Sequence, residues 1–367
     1  MYYTIRIVAK TLHFKQPAGT SRGIYTHRKV WYLLVEDDQK NIGVGECAPL
    51  PLLSCDDLPT YEKVLYHCCK QLASTGQVDR EALEIYPSIL MGIETALQHL
   101  QQLQQLVHQQ SFTLWDSPFS RSKTGIYING LIWMGNYETM KQRIEEKMRA
   151  GFHCIKLKIG AIDFQQELRL LELIRTHFTP SQIELRVDAN GAFSPAEAKS
   201  RLQELAQFSI HSIEQPIAAG QWKEMAELCA TTPLPIALDE ELIGIHGYTQ
   251  KKRLLQQIAP QYIILKPTLH GSFYGAKQWI DIAKEQAIPY WITSALESNV
   301  GLNAIAQWCA TMPSDLPQGL GTGLLFTDNI EMPLTIRGEQ LYYTATNKPI
   351  DVVKQVLTAA DSISIVN

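Results

Sequence analysis

From Tyr2 to Glu46 the chain alternates β-rich runs, clearest in Lys29 to Val35, with turn-forming residues, which predicts an antiparallel sheet. A proline-containing loop, Ala48 to Asp57, follows. Apolar residues then recur at helical spacing in Tyr61 to Ser74 and Ser88 to Val107, predicting two helices that pack on that sheet. Residues 1–122 are thus expected to form an α+β cap. The glutamine-rich stretch Gln101 to Gln110 continues the helical pattern and reads as a solvated helix face.

Beyond Ile126 the texture changes to short runs rich in β-branched residues, each followed by a charged amphipathic segment. That repetition predicts βα units and a parallel sheet. Strands are expected near Ile128, Leu157, Val187, Ile213, Leu238, Leu265, Ile292 and Leu320, with a period of roughly 27 residues. Eight such units close a (β/α)8-type barrel more readily than they extend an open sheet. Residues 123–329 are expected to be this catalytic body. Alternation in Leu334 to Tyr343 predicts a return to strands, with about 330–367 rejoining the cap.

Composition narrows the partners. With 367 residues and 45% hydrophobic content the chain can bury a barrel and a smaller companion. A net charge of -4 and a pI near 6.2 leave no basic field for nucleic acid or anionic membrane, so a small-molecule partner is expected. The seven cysteines, 47, 55, 68, 69, 154, 229 and 309, lack zinc-site spacing and read as reduced, mostly buried thiols. Met1 to Lys10 has no signal pattern and no run nears about 18 apolar residues, so a cytoplasmic protein is expected.

The chemistry lies at the carboxyl ends of the predicted strands, where barrel enzymes build their sites. Those ends are charged: Lys158 closes its strand, then Asp188, Glu214, Asp239 and Lys266 close the next four. An ionisable group within a doubly buried strand must be paired, metal-bound or neutralised. Alternation puts Lys156 on the face of Lys158, and Arg186 and Asn190 on the face of Asp188. Three converging carboxylates, Asp188, Glu214 and Asp239, would repel unless a cation neutralised them. An all-oxygen set with open positions suits Mg2+, with Mn2+ as a substitute, and argues against zinc. The metal-bearing strands lie between Lys158 and Lys266, so a substrate there would have an amine on each face. An ammonium cannot act as a base, so Lys158 would have to give up its proton near neutral pH. The cation would stabilise the charge of a carboxylate becoming an enediolate.

Other residues carry weaker signals. His153, His211 and His270 near strand ends read as structural, and no histidine occupies Pro289 to Ser294. Arg186 and Asn190 are candidates to buttress the ligands or Lys156, with a purely structural role as the equal alternative. Neighbours in a strand face oppositely, so of Glu240 and Glu241 at most Glu240 is expected to reach the site, through the loop that follows Asp239. Glycines 319, 321 and 323 fit a tight turn better than a phosphate cradle.

At these residues the chain resembles the enolase superfamily, known for a lysine or histidine base working with Mg2+. Lys156-x-Lys158 together with Lys266 is similar to its muconate-lactonising subgroup. The resemblance runs from Gly43-Val-Gly-Glu46 through the barrel, and implies an α+β cap on a TIM-like (β/α)7β barrel with Asp188, Glu214 and Asp239 holding Mg2+. Ile128-Asn-Gly-Leu-Ile132, Ser294 to Leu302 and Gly319 to Gly323 resemble the subgroup's dehydratases of menaquinone biosynthesis. That implies Lys158 as the base that also protonates the departing hydroxyl, and Lys266 as a charged cation-π partner beneath the ring. It further implies that Thr293, Ser294, Gly319 and Gly321 meet a second carboxylate, and that Gly19 to Tyr25 and Pro49 to Asp57 are specificity loops. The same lysines would serve a racemase of N-succinyl amino acids, a dipeptide epimerase or a cycloisomerase. A Schiff-base aldolase using Lys266 and a non-catalytic carboxylate-binding barrel stay open. The residues do not indicate an oligomeric state.

Overall fold

A computed structural model describes residues 2–20, 23–105, 112–344 and 350–366. Its amino-terminal part is an antiparallel sheet of β1 (Thr4–Thr20), β2 (Gly23–Glu36) and β3 (Ile42–Cys47), followed by α1 (Tyr61–Thr75), α2 (Arg80–Leu83) and α3 (Pro87–Gln105). The predicted helix is present as far as Gln105, and the rest of the glutamine tract lies outside the described residues. One face of the sheet, with Ile5, Ile7, Leu33 and Val35, packs on Leu65, Leu72, Ile89 and Ile93 of α1 and α3. The other face, with Val8, Leu12, Tyr32 and Leu34, joins the main core. Alternation along the strands therefore feeds two cores from one sheet. Gly45 shows why the Gly43 to Glu46 run needs glycine: a Cβ there would lie 1.9 Å from the Gly92 carbonyl oxygen of α3.

The rest of the chain runs through β4 (Ile126–Tyr127), β5 (Gly130–Ile132), α4 (Tyr137–Arg149), β6 (Cys154–Lys158), α5 (Phe164–His177), β7 (Glu184–Asp188) and α6 (Pro195–Ala206). It continues with β8 (Ser212–Glu214), α7 (Trp222–Thr231), β9 (Ile236–Leu238), α8 (Tyr248–Ile258), β10 (Tyr262–Leu265), α9 (Ser272–Glu285), β11 (Tyr290–Ile292) and α10 (Asn299–Cys309). Last come β12 (Leu334–Arg337), β13 (Gln340–Tyr343), α11 (Val352–Thr358) and β14 (Ser362–Val366). Strands β5 to β11 form a curled seven-stranded parallel sheet in chain order. Helix starts are set locally: Ser194 and Glu197 form a reciprocal capping box with Pro195 in the first turn of α6.

Three expectations need correction. The strand expected at Ile128 is split, with β4 pairing antiparallel to β13 while β5 opens the parallel sheet. The run near Leu320 forms no strand, only single parallel bridges, Thr293 to Gly319 and Ile128 to Gln318. Pro317 lacks a ladder donor and three alternating glycines favour bending, so the run cannot sustain pairing. The hairpin β12–β13 joins β4 rather than the amino-terminal sheet, which is rejoined instead by β14 alongside β1.

All seven cysteines are free, and all but Cys55 are buried. Among the described residues no helix is long and apolar enough to cross a membrane.

Candidate active site

Register places the charged strand ends side by side: Lys158 pairs with Asp188 across β6 and β7, and Asp188 with Glu214 across β7 and β8. Lys158 Nζ donates to Asp188 Oδ2 at 2.9 Å and to Asn190 Oδ1 at 2.7 Å. Lys156 Nζ lies 3.0 Å from the same Asp188 oxygen and also donates to Glu214 Oε2. Lys266 Nζ donates to Asp239 Oδ2. The Asn190 amide donates to Glu240 Oε1 at 3.0 Å, which fixes its oxygen toward Lys158. Asp188, Glu214 and Asp239 are at most 1% exposed.

The charges perturb one another. Burial alone would lower the Lys156 ammonium, but Asp188, Glu214 and Asp239 together raise it. Burial would raise Asp188, yet Lys156, Lys158 and Lys266 hold it far below the usual carboxylate range. Burial pushes Glu214 up to about 8, with Asp188 and Asp239 adding to the shift and Lys156 opposing it. Burial works against the Lys266 ammonium, but Asp239 and Glu240 raise it. The lysines thus hold Asp188 ionised, while burial and its carboxylate neighbours leave Glu214 the harder of the two to charge.

Among the described residues no three His, Cys, Asp or Glu side chains have closed into a metal-holding cluster. Ammoniums stand on the carboxylates instead, as like charges demand when only lysines are at hand. The donor set nevertheless fits a hard cation. Glu214 Oε1 and Asp239 Oδ1 are buried with no hydrogen-bond partner among the described residues, a costly state that an added positive charge would relieve.

Above these groups lies a cavity of about 720 Å3. Lys156, Lys158, Asp188, Asn190, Glu240 and Lys266 line its floor. Thr293, Ser294, Gly319 and Gly321 form one wall, and Tyr25, Leu50 and Leu53 reach it from the cap. Both predicted specificity segments thus contribute, although Gly19 to Tyr25 is largely strand, with residues 21 and 22 outside those described. The backbone N–H groups of Thr293, Ser294 and Gly319 already donate, to Leu265, Gly319 and Ile292. The Ser294 and Thr322 hydroxyls bond each other at 2.6 Å. Gly319 must be glycine, since a Cβ would lie 2.1 Å from Thr293 Oγ1.

The remaining candidates sort by their partners. Arg186 is fully buried but bonds Glu184 at 2.7 Å and the Pro317 carbonyl at 2.9 Å, with its guanidinium 4.3 Å from the Trp291 ring centre. Among the described residues its hydrogen bonds go to Glu184 and Pro317, and to neither Lys156 nor Asp188, Glu214 or Asp239. After Asp239 the chain leaves the strand for a 3-10 turn, Glu240–Leu242. That turn brings Glu240 to Asn190, as the loop reading expects, and sends Glu241 to the Gly220 N–H at 2.7 Å. His270 accepts from the Lys266 backbone N–H at 3.0 Å, and burial lowers it to about 3, so it stays neutral. His211 stacks near Tyr262 and Trp291, and His153 bonds Glu339.

Gln215 was not singled out by sequence. Its side-chain oxygen accepts from the backbone of Asp239 and Glu241, and its amide donates to Glu241, so it fixes the turn that follows Asp239. Its place directly after Glu214 was the available signal.

The family model described as Enolase C-terminal domain-like matches residues 139–349. The o-succinylbenzoate synthase of Desulfotalea psychrophila is 46% identical over 352 residues, covering 89% of this chain and 95% of the relative. The chain belongs to the enolase superfamily. Among enolase-superfamily structures, MenC from Desulfotalea psychrophila LSv54 superposes with a TM-score of 0.77 at 39% identity, covering 93% of this chain and all of that one. A dipeptide epimerase from Cytophaga hutchinsonii, complexed with Mg and dipeptide D-Ala-L-Val, shares the fold at a TM-score of 0.81 and 20% identity, each chain being fully covered.

Proposed function

We propose that this chain is an o-succinylbenzoate synthase, a lyase of menaquinone biosynthesis that dehydrates 2-succinyl-6-hydroxy-2,4-cyclohexadiene-1-carboxylate. The observation that carries the reading is the 46% identity to a relative of that name along nearly the whole chain. The pair of amines at the floor of one cavity, Lys158 and Lys266, supplies the chemistry.

In this reading the ring carboxylate lies over the strand ends with Lys158 on one face and Lys266 on the other. The C–H bond beside the carboxylate breaks, its proton passing to Lys158 Nζ and its electron pair to the carboxylate as an enediolate. The resulting Lys158 ammonium then gives a proton to the departing hydroxyl on the same face. The C–O bond breaks, water leaves, and the ring becomes aromatic. Lys266, whose ammonium Asp239 and Glu240 favour, stays charged beneath the ring as an electrostatic partner. The same favouring weighs against a Schiff base at Lys266, which needs a free amine. Asn190 holds the Lys158 amine in place. Asp188, Glu214 and Asp239 would hold Mg2+, with Mn2+ as a substitute, whose charge offsets that developing on the carboxylate. The Thr293, Ser294 and Gly321 wall is assigned to the succinyl end: the Thr293 hydroxyl donates to the Gly319 carbonyl at 2.8 Å, which leaves the Ser294–Thr322 hydroxyl pair and the Gly321 N–H as donors.

The bridges at Gln318 and Gly319 mark, in this reading, the place of the eighth strand that closes a (β/α)7β barrel over residues 123–329. Residues 1–122 are the cap, which β14 completes against β1. Free thiols throughout support a cytoplasmic enzyme.

The test is to assay o-succinylbenzoate formation beside epimerisation of N-succinyl amino acids, both with Mg2+. Dehydration is expected to dominate. Activity on N-succinyl amino acids alone would overturn the substrate and favour the racemase reading, which two opposed lysines serve equally well.

A further inference from the structure

The segment from Thr293 to Ser298 contributes one wall of the cavity and bends through Leu296, whose φ of 64° is unusual for a branched side chain. Something must hold that bend. Glu46 of β3 accepts from the Ser298 N–H at 2.8 Å, from the Gly301 N–H at 2.7 Å and from the Ser298 hydroxyl. Glu297 accepts from the Ala295 N–H at 2.7 Å and from the Thr268 hydroxyl at 2.5 Å. The guanidinium of Arg28, 1% exposed, feels the charge of both of these buried carboxylates.

The direction of the Arg28 fork is informative. One terminal nitrogen donates to the Ala295 carbonyl in the barrel wall, the other to the Ala48 carbonyl. Ala48 opens the cap segment that carries Leu50 and Leu53 into the same cavity. Arg28 therefore spans the two opposing walls with one rigid planar group, which the single ammonium of lysine could not reproduce. Its Nε has no partner among the described residues, so the group is placed for those two carbonyls rather than saturated.

We propose that Arg28, through its bonds to the Ala48 and Ala295 carbonyls, is a positioning residue that sets the spacing between the cap wall and the barrel wall of the cavity, and so the fit of its ring-bearing dicarboxylate. This rests on the reading that the cavity holds the substrate. Arg28 touches no reacting atom, so its loss acts on substrate fit first and on the base only through it.

The test uses the full chain with Mg2+ and compares Arg28→Met, Arg28→Lys and Lys251→Met, the last breaking a buried ion pair between α8 and the cap. Arg28→Met is expected to raise KM about tenfold with a much smaller fall in kcat, and Arg28→Lys to lie between it and wild type. Lys251→Met should lower Tm while KM stays within about twofold. An unchanged KM in folded Arg28→Met, or an equal rise in Lys251→Met, would overturn the proposal. If Arg28→Met does not fold, Ser298→Ala removes one bond to Glu46, and its KM should rise about threefold; an unchanged KM there is equally fatal. The series is run on whichever of dehydration or epimerisation the wild-type chain performs. A wrong substrate then shows in the wild type alone, and a wrong role for Arg28 only in the variants.

Discussion

Two places in this molecule bury lysine against carboxylate, and they are finished differently. In the first, Lys251 of α8 donates to Glu84, to the Gly275 carbonyl at 3.0 Å and to Gln278 at 2.9 Å, while the other Glu84 oxygen accepts from the Gly247 N–H at 2.8 Å. Every donor of the ammonium is used. In the second, at the strand ends, Glu214 Oε1 and Asp239 Oδ1 are buried without partners among the described residues. Electrostatics follow the same division: burial lowers the Lys251 ammonium in spite of Glu84, whereas three carboxylates raise that of Lys156. Burial of opposite charges is common to both places and so does not mark a functional site. What sets the strand ends apart is that carboxylates from neighbouring strands keep buried oxygens without partners beside a cavity, whereas a saturated pair has nothing to offer a ligand.

Chelation should break the comparison most strongly. Stripping divalent cations is expected to reduce turnover by roughly three orders of magnitude, with recovery on adding Mg2+ or Mn2+. Full activity after exhaustive chelation would mean the strand-end carboxylates are as self-sufficient as Glu84. At the saturated pair, Lys251→Met should cost about 3–5 kcal/mol in denaturant unfolding, since it leaves Glu84 buried and uncompensated. A loss below about 1 kcal/mol would show that water or rearrangement rescues Glu84.

A smaller effect is expected in the pH dependence of the chelated protein. With Glu214 raised from 4.5 to about 8, the unfolded chain ionises it first, so folding keeps a proton that unfolding releases. Stability contributed below pH 4.5 is therefore lost as pH rises through about 8, and Tm of the chelated protein should fall across that window. Asp188, held low, is ionised throughout that window and does not offset the trend. Glu214→Gln should flatten the slope; an unchanged slope would assign it to another group. Smallest of all, Lys277→Ala removes an exposed pair with Asp281 one helical turn away and should shift stability by no more than about 0.5 kcal/mol.

Much of the site is legible from sequence for a physical reason. Ionisable residues closing doubly buried strands are expensive, so Lys158, Asp188, Glu214, Asp239 and Lys266 announce themselves by position alone. The amino-terminal sheet is equally plain, because the unbroken apolar run Val30 to Val35 reflects two covered faces. What sequence hid depends on pairing partners or on local turns. Nothing in Ile126 to Ile132 tells that two residues pair with a hairpin from beyond position 330 while the next three enter the parallel sheet. That Glu240 reaches the site through the loop is legible, but the 3-10 turn that aims it, and that sends Glu241 to Gly220, is not. Arg186 shares a face with Asp188, yet sharing a face left open which end of the sheet its long side chain would follow, and it follows Glu184 and Trp291. Arg28 and Glu46 meet partners more than 250 positions away, a distance over which pattern carries no signal.

The central claim is that Lys158 is the base, and the most direct test is the rate of o-succinylbenzoate formation by Lys158→Ala with Mg2+ present and the fold verified. A loss of about 100-fold to 10,000-fold or more, with the melting temperature retained, is predicted. A rate close to that of the wild-type chain would contradict it.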